Sequence, residues 1–309
     1  GFEDKIVIGS GLVDMYGKCG FLLEAQHVLG KLTIQDVFPW TALISSCVEL
    51  GDIKKALHYS EDMKDAGVSR NVFTLMSILK CCVNRDSVEI GQGLHAEIIM
   101  RGLETDVRVA TSLVHFYGKS GWFSEAKMLC LKLVNRSVAT WNALIAGYAN
   151  KGTGQEALNC FARIQRDGLS PNEITFLCVL TACSHSGKLD EAQTYYENMS
   201  GKYGVIPKIE HHTCMVIVFG CVGLFENAMS VIKVMPSSDY SEVWLALLGA
   251  CKKWGNLELG RVAFDQVVQL DNTCTQAYVH MANIFASAGM QEDAQNIEAI
   301  RLDHASCKR

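Results

Sequence analysis

The chain has 309 residues, of which 49% are hydrophobic and 20% are charged, and its formal net charge is −5. This composition excludes a disordered chain and supplies enough apolar residues for a large core. The acidic balance gives no general attraction to nucleic acids. No apolar run approaches the roughly 20 residues that cross a bilayer, so the sequence predicts a soluble protein with no membrane partner.

The thirteen cysteines form no CxxC pair and no regular extracellular pattern. Several lie at matching points of helical stripes, and these are Cys47, Cys82, Cys183 and Cys251. We therefore expect reduced core cysteines in an intracellular compartment. The chain shows no targeting segment, and it starts with Gly1, which is consistent with removal of a targeting peptide.

A pattern of two amphipathic helices recurs along the chain. Residues 1–5 are interpreted as the tail of a preceding repeat. Seven repeats are predicted after it, at residues 6–36, 37–71, 72–106, 107–137, 138–172, 173–208 and 209–240. Two last helical pairs are predicted at residues 241–274 and 275–309.

The repeat at residues 138–172 shows the pattern most clearly. Its first helix carries apolar residues at i, i+3, i+4 and i+7, namely Trp141, Leu144, Ile145 and Tyr148. A second apolar stripe consists of Ala157, Leu158, Phe161 and Ile164. Gly152 and Gly154 bracket the break between the helices, and Gly168 with Pro171 ends the second one.

A period of 31 to 36 residues over the whole chain predicts an all-α fold, a right-handed α-solenoid of stacked helix-turn-helix repeats. Each repeat contacts its neighbours, so no separate domain boundary is expected. The stripes are used for packing between repeats. Function is therefore expected in the polar residues that face the concave groove.

The repeat strings carry a family resemblance. Tetratricopeptide repeats keep a period of about 34 residues, whereas the lengths here alternate between short and long. With this alternation, the strings WNALIAGYANKGTGQEALNCF, LVDMYGKCG and VLTACSHSGKLDEA resemble the pentatricopeptide-repeat (PPR) family, and within it the plant PLS subclass. VWLALLGACKKWGNLELG, at the start of residues 241–309, resembles the E1 and E2 motifs of organellar RNA-editing factors.

The resemblance implies a function. Repeats of this family bind single-stranded RNA, one base per repeat. The chain would then be a specificity factor for C-to-U editing in a mitochondrion or chloroplast. It would recruit a deaminase-bearing or accessory protein in trans through residues 241–309, with no catalysis and no cofactor of its own. The alternatives are a factor for organellar RNA splicing or stabilisation, and a tetratricopeptide-type protein scaffold that binds no RNA.

The resemblance also implies which residues read the RNA, namely the fifth and the last of each repeat. These pairs are Ser10 with Asp36, Thr41 with Asn71, Thr111 with Ser137, and Asn142 with Asn172. A weaker pair is Thr213 with Tyr240. Second-position residues such as Val7, Phe38 and Ala139 would flank the bases. Without the resemblance, the fifth residues would be caps or solvent-facing groups, and the second residues would be packing groups.

Two repeats, at residues 72–106 and 173–208, are interpreted as the long repeats and depart from this pattern. Their fifth residues are Met76 and Leu177, and apolar side chains cannot pair with a base edge. These repeats, whose last residues are Asp106 and Lys208, are expected to act as spacers or protein contacts. Arg108 and Glu210 depart from the apolar second position, which weakens the interpretation of their repeats.

Hydrogen-bond chemistry gives an expected base for each pair. A carboxylate only accepts, so a last-position Asp favours G or U, whereas an Asn amide can donate to A or C. The resemblance adds that a fifth-position Thr or Ser favours purines and Asn favours pyrimidines. The pairs in chain order then give an expected RNA site of 5′-G-A-N-R-Y-N-N, upstream of the target cytidine.

Two histidine strings invite a metal-site interpretation. His95-Ala96-Glu97 matches the H-x-E of zinc deaminases, but the P-C-x-x-C that completes such a site does not follow in this chain. His211 and His212 have no carboxylate or cysteine at ligand spacing. We expect structural roles for these histidines and no metal site.

Overall fold

Helices form the regular structure of every described segment. The computed structural model describes residues 2–32, 36–82, 87–235 and 240–306, with side chains from residue 7 to residue 302. These segments contain eighteen α-helices and no β-strand. The all-α prediction is therefore confirmed.

The helices follow one another in pairs within two units, Gly1–Gly147 and Tyr148–Arg309. The first unit contains α1 (Phe2–Lys18), α2 (Leu22–Lys31), α3 (Val37–Glu49), α4 (Ile53–Asp65), α5 (Val72–Cys81), α6 (Val88–Met100), α7 (Val107–Lys119), α8 (Phe123–Lys132) and most of α9 (Val138–Lys151). The second unit continues with α10 (Gly154–Arg166), α11 (Glu173–Ser186), α12 (Leu189–Tyr203), α13 (Ile209–Cys221), α14 (Phe225–Val234), α15 (Ser241–Trp254), α16 (Leu257–Leu270), α17 (Thr275–Ser287) and α18 (Gln291–Ser306).

Each unit is a stack in which consecutive helices pack against each other. In the first unit, α3 packs against α1, α4 and α5. In the second unit, α13 packs against α11, α14 and α15. In both cases the first helix of a pair thus contacts its own partner and the first helices on either side, as expected for stacked helical repeats.

The turns and stripes of residues 138–172 are as predicted. Gly152, between α9 and α10, has a left-handed backbone with φ of +76°, and Gly168 after α10 has φ of +71°; glycine adopts this conformation without steric cost. The eight residues of the two apolar stripes are all at most 8% exposed. Their burial provides the hydrophobic stabilisation of these helices.

The start of the chain is helical from residue 2. Residues 2–5, interpreted as the tail of a preceding repeat, continue without a break into α1. Residues 2–5 contain no glycine or proline, which would interrupt a helix. The helix therefore starts before the predicted repeat boundary.

The four predicted core cysteines are buried. Cys47, Cys82, Cys183 and Cys251 are 0% exposed, and all four are free thiols. Burial raises the pKa of Cys82 and of Cys183 to about 12, so these thiols stay protonated and unreactive. No helix in the described segments is long and apolar enough to span a bilayer.

Candidate nucleic-acid interface

The second residue of each repeat is exposed and the fourth is buried. In the first unit, Phe38 is 66% exposed and Phe73 is 58% exposed, whereas Trp40 and Leu75 are at most 6% exposed. Val7, Arg108 and Ala139 are exposed second residues in the same unit. In the second unit, Ile174 is 53% exposed while Phe176 is fully buried. The second residues are therefore exposed and are not part of the buried core.

Second residues of neighbouring repeats lie side by side in the first unit. The guanidinium carbon of Arg108 lies 5.6 Å from the ring centroid of Phe73, a distance typical of a cation–π contact. These two side chains come from the first turns of α5 and α7. The exposed second positions of the repeats at 72–106 and 107–137 are therefore adjacent.

The fifth residues lie one turn into their helices. Thr41 donates to the carbonyl oxygen of Val37 at 2.8 Å, and Thr213 donates to that of Ile209 at 2.8 Å. Thr111 makes the same bond to Val107 at 2.6 Å. Ser10, Thr41, Thr111 and Thr213 are all partly exposed. These side chains are therefore partly accessible, and a hydrogen bond to the helix orients the three threonines.

The last residues of the repeats are the helix N-caps. Asn71 Oδ1 accepts from the backbone N–H of Thr74 at 2.8 Å, and Asn172 Oδ1 accepts from that of Thr175 at 3.0 Å. Asp36 accepts from the N–H of Val37 at 2.6 Å. Ser137 also accepts from a backbone N–H at the start of the next helix, 3.2 Å away. Caps were expected at the fifth position, and the structure places them at the last position instead.

Asn142 and Asn172 differ in exposure. Asn142 is only 5% exposed on α9, whereas Asn172 is exposed at the start of α11. Asn142 therefore lies deeper than the partly exposed hydroxyls at the other polar fifth positions. The predicted pair combines one buried and one exposed amide.

The long repeats present their last residues in ion pairs. Asp106 binds the guanidinium of Arg108, with 2.8 Å between Oδ2 and Nη2 and 3.2 Å between Oδ1 and Nε. This hydrogen bonding holds the pKa of Asp106 below its usual value. Lys208 Nζ lies 2.5 Å from a carboxylate oxygen of Glu173. Met76 and Leu177, the fifth residues, are partly exposed.

Threonines at the third position connect these residues, and the sequence interpretation missed them. Thr74 and Thr140 are fully buried. Thr74 Oγ1 lies 2.6 Å from Thr41 Oγ1 and 2.9 Å from Asn71 Oδ1. Thr140 Oγ1 lies 2.7 Å from Thr111 Oγ1 and 2.9 Å from Ser137 Oγ. The available signal was a Thr three residues after a capping Asn or Ser, a spacing typical of helix starts.

The three histidines of the two histidine strings hydrogen-bond within the protein, where His211 and His212 are buried and His95 is partly exposed. His95 Nδ1 lies 2.8 Å from the Tyr117 hydroxyl, and His212 Nδ1 lies 2.5 Å from that of Tyr196. His211 Nε2 lies 2.8 Å from the carbonyl oxygen of Glu173. Among the residues whose side chains are described, no group of three or more His, Cys, Asp or Glu could hold a metal ion. Each of these three histidines therefore contributes a hydrogen bond within the fold.

The helical pair that starts at residue 241 stacks on the repeat before it. The Trp254 indole N–H donates to the carbonyl oxygen of Gly220 at 2.9 Å. A side chain at Gly220 would meet the Ala250 Cβ at 2.5 Å, so α13 and α15 approach closely. Leu245 is the fifth residue of this pair and cannot hydrogen-bond to a base.

The stacked helical pairs define a helical-repeat protein. The exposed second residues recur along its surface, once in each repeat. Family models match the chain at residues 136–185 (PPR repeat family), 33–85 (pentatricopeptide repeat domain), and 109–138 and 174–203 (PPR repeat). The chain therefore contains pentatricopeptide repeats at residues 33–85 and 109–203, as the repeat strings predicted.

Similar proteins come from plants. A chloroplastic pentatricopeptide repeat-containing protein of Arabidopsis thaliana is 33% identical over 305 residues, which cover 98% of this chain and 41% of the relative. A second Arabidopsis protein of the same description is 31% identical over 311 residues, which cover 100% of this chain and 50% of the relative. The chain thus spans half or less of the length of these relatives.

Solved structures share the fold. The maize pentatricopeptide repeat protein PPR10 superposes with a TM-score of 0.50 at 20% identity, over 94% of this chain and 43% of that one. PPR10 in complex with an 18-nt psaJ RNA element superposes with a TM-score of 0.55 at 15% identity, over 92% of this chain and 48% of that one. These matches agree with the predicted solenoid of helical repeats.

Proposed function

We propose that this chain binds single-stranded RNA with sequence preference, one base per repeat. The observation that carries the proposal is the exposure of apolar second residues beside a buried fourth residue in successive repeats. Packing does not require Phe38 or Phe73 to be more than half exposed, and recurrent exposed apolar side chains indicate a binding surface. Flat aromatic side chains suit stacking on bases of any identity.

The geometry of Asn71 supports a specific base preference. Because its Oδ1 accepts from the Thr74 N–H, the amide NH₂ is directed away from the helix start. An outward NH₂ donates to the bare ring nitrogen that A and C present on their pairing edge. Together with Thr41 at the fifth position, this supports A as the base read by residues 37–71.

Asp36 presents the opposite chemistry. Its carboxylate accepts from the N–H of Val37 and still has further lone pairs to accept from a base. G and U carry a ring N–H at that edge, so an acceptor favours them. With Ser10 as its partner, the first described repeat is proposed to read G.

Relatives support an RNA ligand. The solved neighbour PPR10 is described in complex with an 18-nt RNA element, and this chain shares its fold. The net charge of the chain is −5, and the exposed Arg108 is paired with Asp106. We therefore expect affinity to depend more on stacking and base contacts than on a large basic patch.

The test compares two RNAs of identical composition. One contains 5′-G-A-N-R-Y, and the other exchanges its first two bases to give 5′-A-G-N-R-Y. Fluorescence anisotropy with the purified chain should show tighter binding to the first RNA, by about tenfold or more, since each wrong base costs about 1–3 kcal/mol where base contacts resemble those on DNA. Equal binding would refute sequence preference, and no binding at low salt would favour the protein scaffold.

We further propose that the RNA site lies upstream of an edited cytidine in a mitochondrial or chloroplast transcript. In this proposal residues 241–309 recruit the deaminase-bearing protein, which the resemblance to the E1 and E2 motifs and the position of Leu245 support. One of the relatives is chloroplastic, which supports an organellar location. The chain itself is proposed to supply specificity and no catalysis.

Editing is tested by reconstitution. A transcript with the RNA site and a downstream cytidine is incubated with the chain, with a deaminase-bearing partner, or with both. Conversion to uridine should require both proteins. Conversion by the chain alone, or by the partner to the same extent without the chain, would contradict the recruiting role.

A further inference from the structure

A buried hydroxyl connects the two candidate base-reading residues in two repeats of the first unit. Thr74 contacts Thr41 and Asn71, which are the fifth and last residues of the repeat before it. Thr140 contacts Thr111 and Ser137 in the same way. Both threonines are 0% exposed, so neither can touch RNA itself.

The hydrogen-bond contacts around Thr74 outnumber the hydroxyl hydrogens that can fill them. Asn71 Oδ1 is an acceptor because it already receives the Thr74 N–H, and the Val37 carbonyl is an acceptor for Thr41. There are three contacts, namely Val37–Thr41, Thr41–Thr74 and Thr74–Asn71. The two threonine hydroxyls supply only one hydrogen each. Thr41 donates to Val37 and Thr74 donates to Asn71, so the contact between the two hydroxyls competes with these bonds for a hydrogen.

The link at Thr140 is complete. Ser137 has a hydroxyl hydrogen of its own, so it can donate to Thr140 while it accepts the Thr140 N–H. Thr140 can then donate to Thr111, and Thr111 donates to the Val107 carbonyl. Every contact has a hydrogen, and Thr111 keeps a lone pair for a donor group on a base.

The last residue of a repeat therefore influences the hydrogen-bonding character of the fifth through the threonine between them. We propose that the third-position threonine of the following repeat is a positioning residue for base recognition. It holds the fifth and last side chains together and sets whether the fifth hydroxyl donates or accepts. This inference rests on the proposed RNA-binding function.

Other repeats of the same unit lack this link and provide an internal comparison. The third residues after the pairs Ser10–Asp36 and Met76–Asp106 are Pro39 and Val109, which have no hydroxyl. The preference for the base assigned to Ser10 and Asp36 should therefore not depend on Thr74.

The test replaces Thr74 by valine, which keeps the branched shape and the capping backbone N–H but removes the hydroxyl. Four RNAs that differ only at the second base of 5′-G-A-N-R-Y give the preference for A as a ratio of Kd values. The Thr74→Val change should lower this ratio by about threefold to tenfold, as expected for one hydrogen bond. Thr74→Ser restores the hydroxyl and should keep the ratio within about twofold, below the range expected for a lost bond.

A matched control separates positioning from folding. Ser46 is a buried hydroxyl on α3 that donates to the Ala42 carbonyl at 2.9 Å, and it touches neither member of the pair. Ser46→Ala should lower the thermal stability but leave the ratio of Kd values at the second base unchanged. The preference for G at the first base should stay constant in all three variants.

The outcomes are distinct. An unchanged A preference in Thr74→Val, with only the affinity or the thermal stability lowered as in Ser46→Ala, would overturn the inference and leave the proposed function intact. Failure of the unchanged protein to bind or to discriminate at the second base would overturn the proposed function, and with it this inference. A lowered ratio in Thr74→Val that Thr74→Ser restores would support it.

Discussion

The Nδ1 atom of His95 on α6 lies 2.8 Å from the hydroxyl oxygen of Tyr117 on α7. The rings meet edge to face, with centroids 5.5 Å apart. His95 therefore joins the second helix of one repeat to the first helix of the next. Its role is structural, although its H-x-E context suggested a deaminase.

This contact predicts a loss of stability in mild acid. Burial lowers the pKa of His95, and also that of His212, below the ordinary histidine value of 6.5. The unfolded chain therefore binds more protons than the folded one once the pH falls below about 6.5. The stabilisation that comes from keeping His95 and His212 neutral is complete above that pH. It is lost as the pH falls towards the pKa values of the folded protein.

Melting temperatures at pH 7.5 and pH 5.5 measure this effect. The unchanged protein should melt at a lower temperature at pH 5.5, and the double variant His95→Gln and His212→Gln should show a smaller difference between the two pH values. His58, which is exposed on α4, provides the control variant His58→Gln. An equal pH effect in all three proteins would contradict the prediction.

Arg108 should prevent Asp106 from accepting a hydrogen bond from a base. Its guanidinium occupies both carboxylate oxygens of Asp106, the last residue of a long repeat. Met76→Thr alone would create a Thr–Asp pair whose acceptor is engaged. Met76→Thr combined with Arg108→Val should introduce a preference for G at the third base, measured with four RNAs. A G preference of the same size in Met76→Thr alone would show that Arg108 does not mask Asp106.

Asn142 tests base reading at a buried position. Replacing its amide by the threonine hydroxyl should move the fifth base from a pyrimidine towards A, by about 1–3 kcal/mol if base-edge contacts resemble those on DNA. Asn150, exposed on the same helix, gives the control variant Asn150→Thr. If Asn142→Thr weakens binding to all four bases equally, Asn142 is a packing residue and does not read a base.

Two glycines allow α7 and α9 to approach closely. A Cβ atom at Gly147 would lie 2.9 Å from the Gly118 Cα, which is backbone and cannot move aside. Gly147→Ala should therefore lower the free energy of unfolding by about 1–3 kcal/mol. Gly93, inside α6, has open space around its Cβ position, so Gly93→Ala should raise it by about 0.5–1 kcal/mol. Urea denaturation measures both, and equal effects would contradict the close approach.

The helical repeats could be predicted from the sequence because hydrophobic spacing and glycine positions are local signals. The two stripes, one with Trp141 and one with Phe161, and the turn at Gly152 follow from the spacing of apolar residues and glycines alone. The exposure of Phe38 and Phe73 could not be derived from spacing, because an apolar residue at a helix start is compatible with burial or exposure.

The hydrogen bonds of the candidate interface required the structure. The sequence indicated which residues occupy the fifth and last positions, but not that Asn71 caps a helix with its Oδ1. Nor did it show that Thr74 lies between Thr41 and Asn71, since this contact joins two helices through side chains whose orientation depends on packing. The burial of Asn142 likewise depends on tertiary structure.

The central claim is sequence-specific binding of single-stranded RNA, and selection from a random RNA pool tests it most directly. The purified chain is incubated with the pool at low salt, and the bound RNA is sequenced. The account predicts enrichment of 5′-G-A-N-R-Y, with the strongest preference at the second base, which Thr41 and Asn71 are proposed to read. Bound RNA whose sequences match the starting pool, or no bound RNA at all, would contradict it.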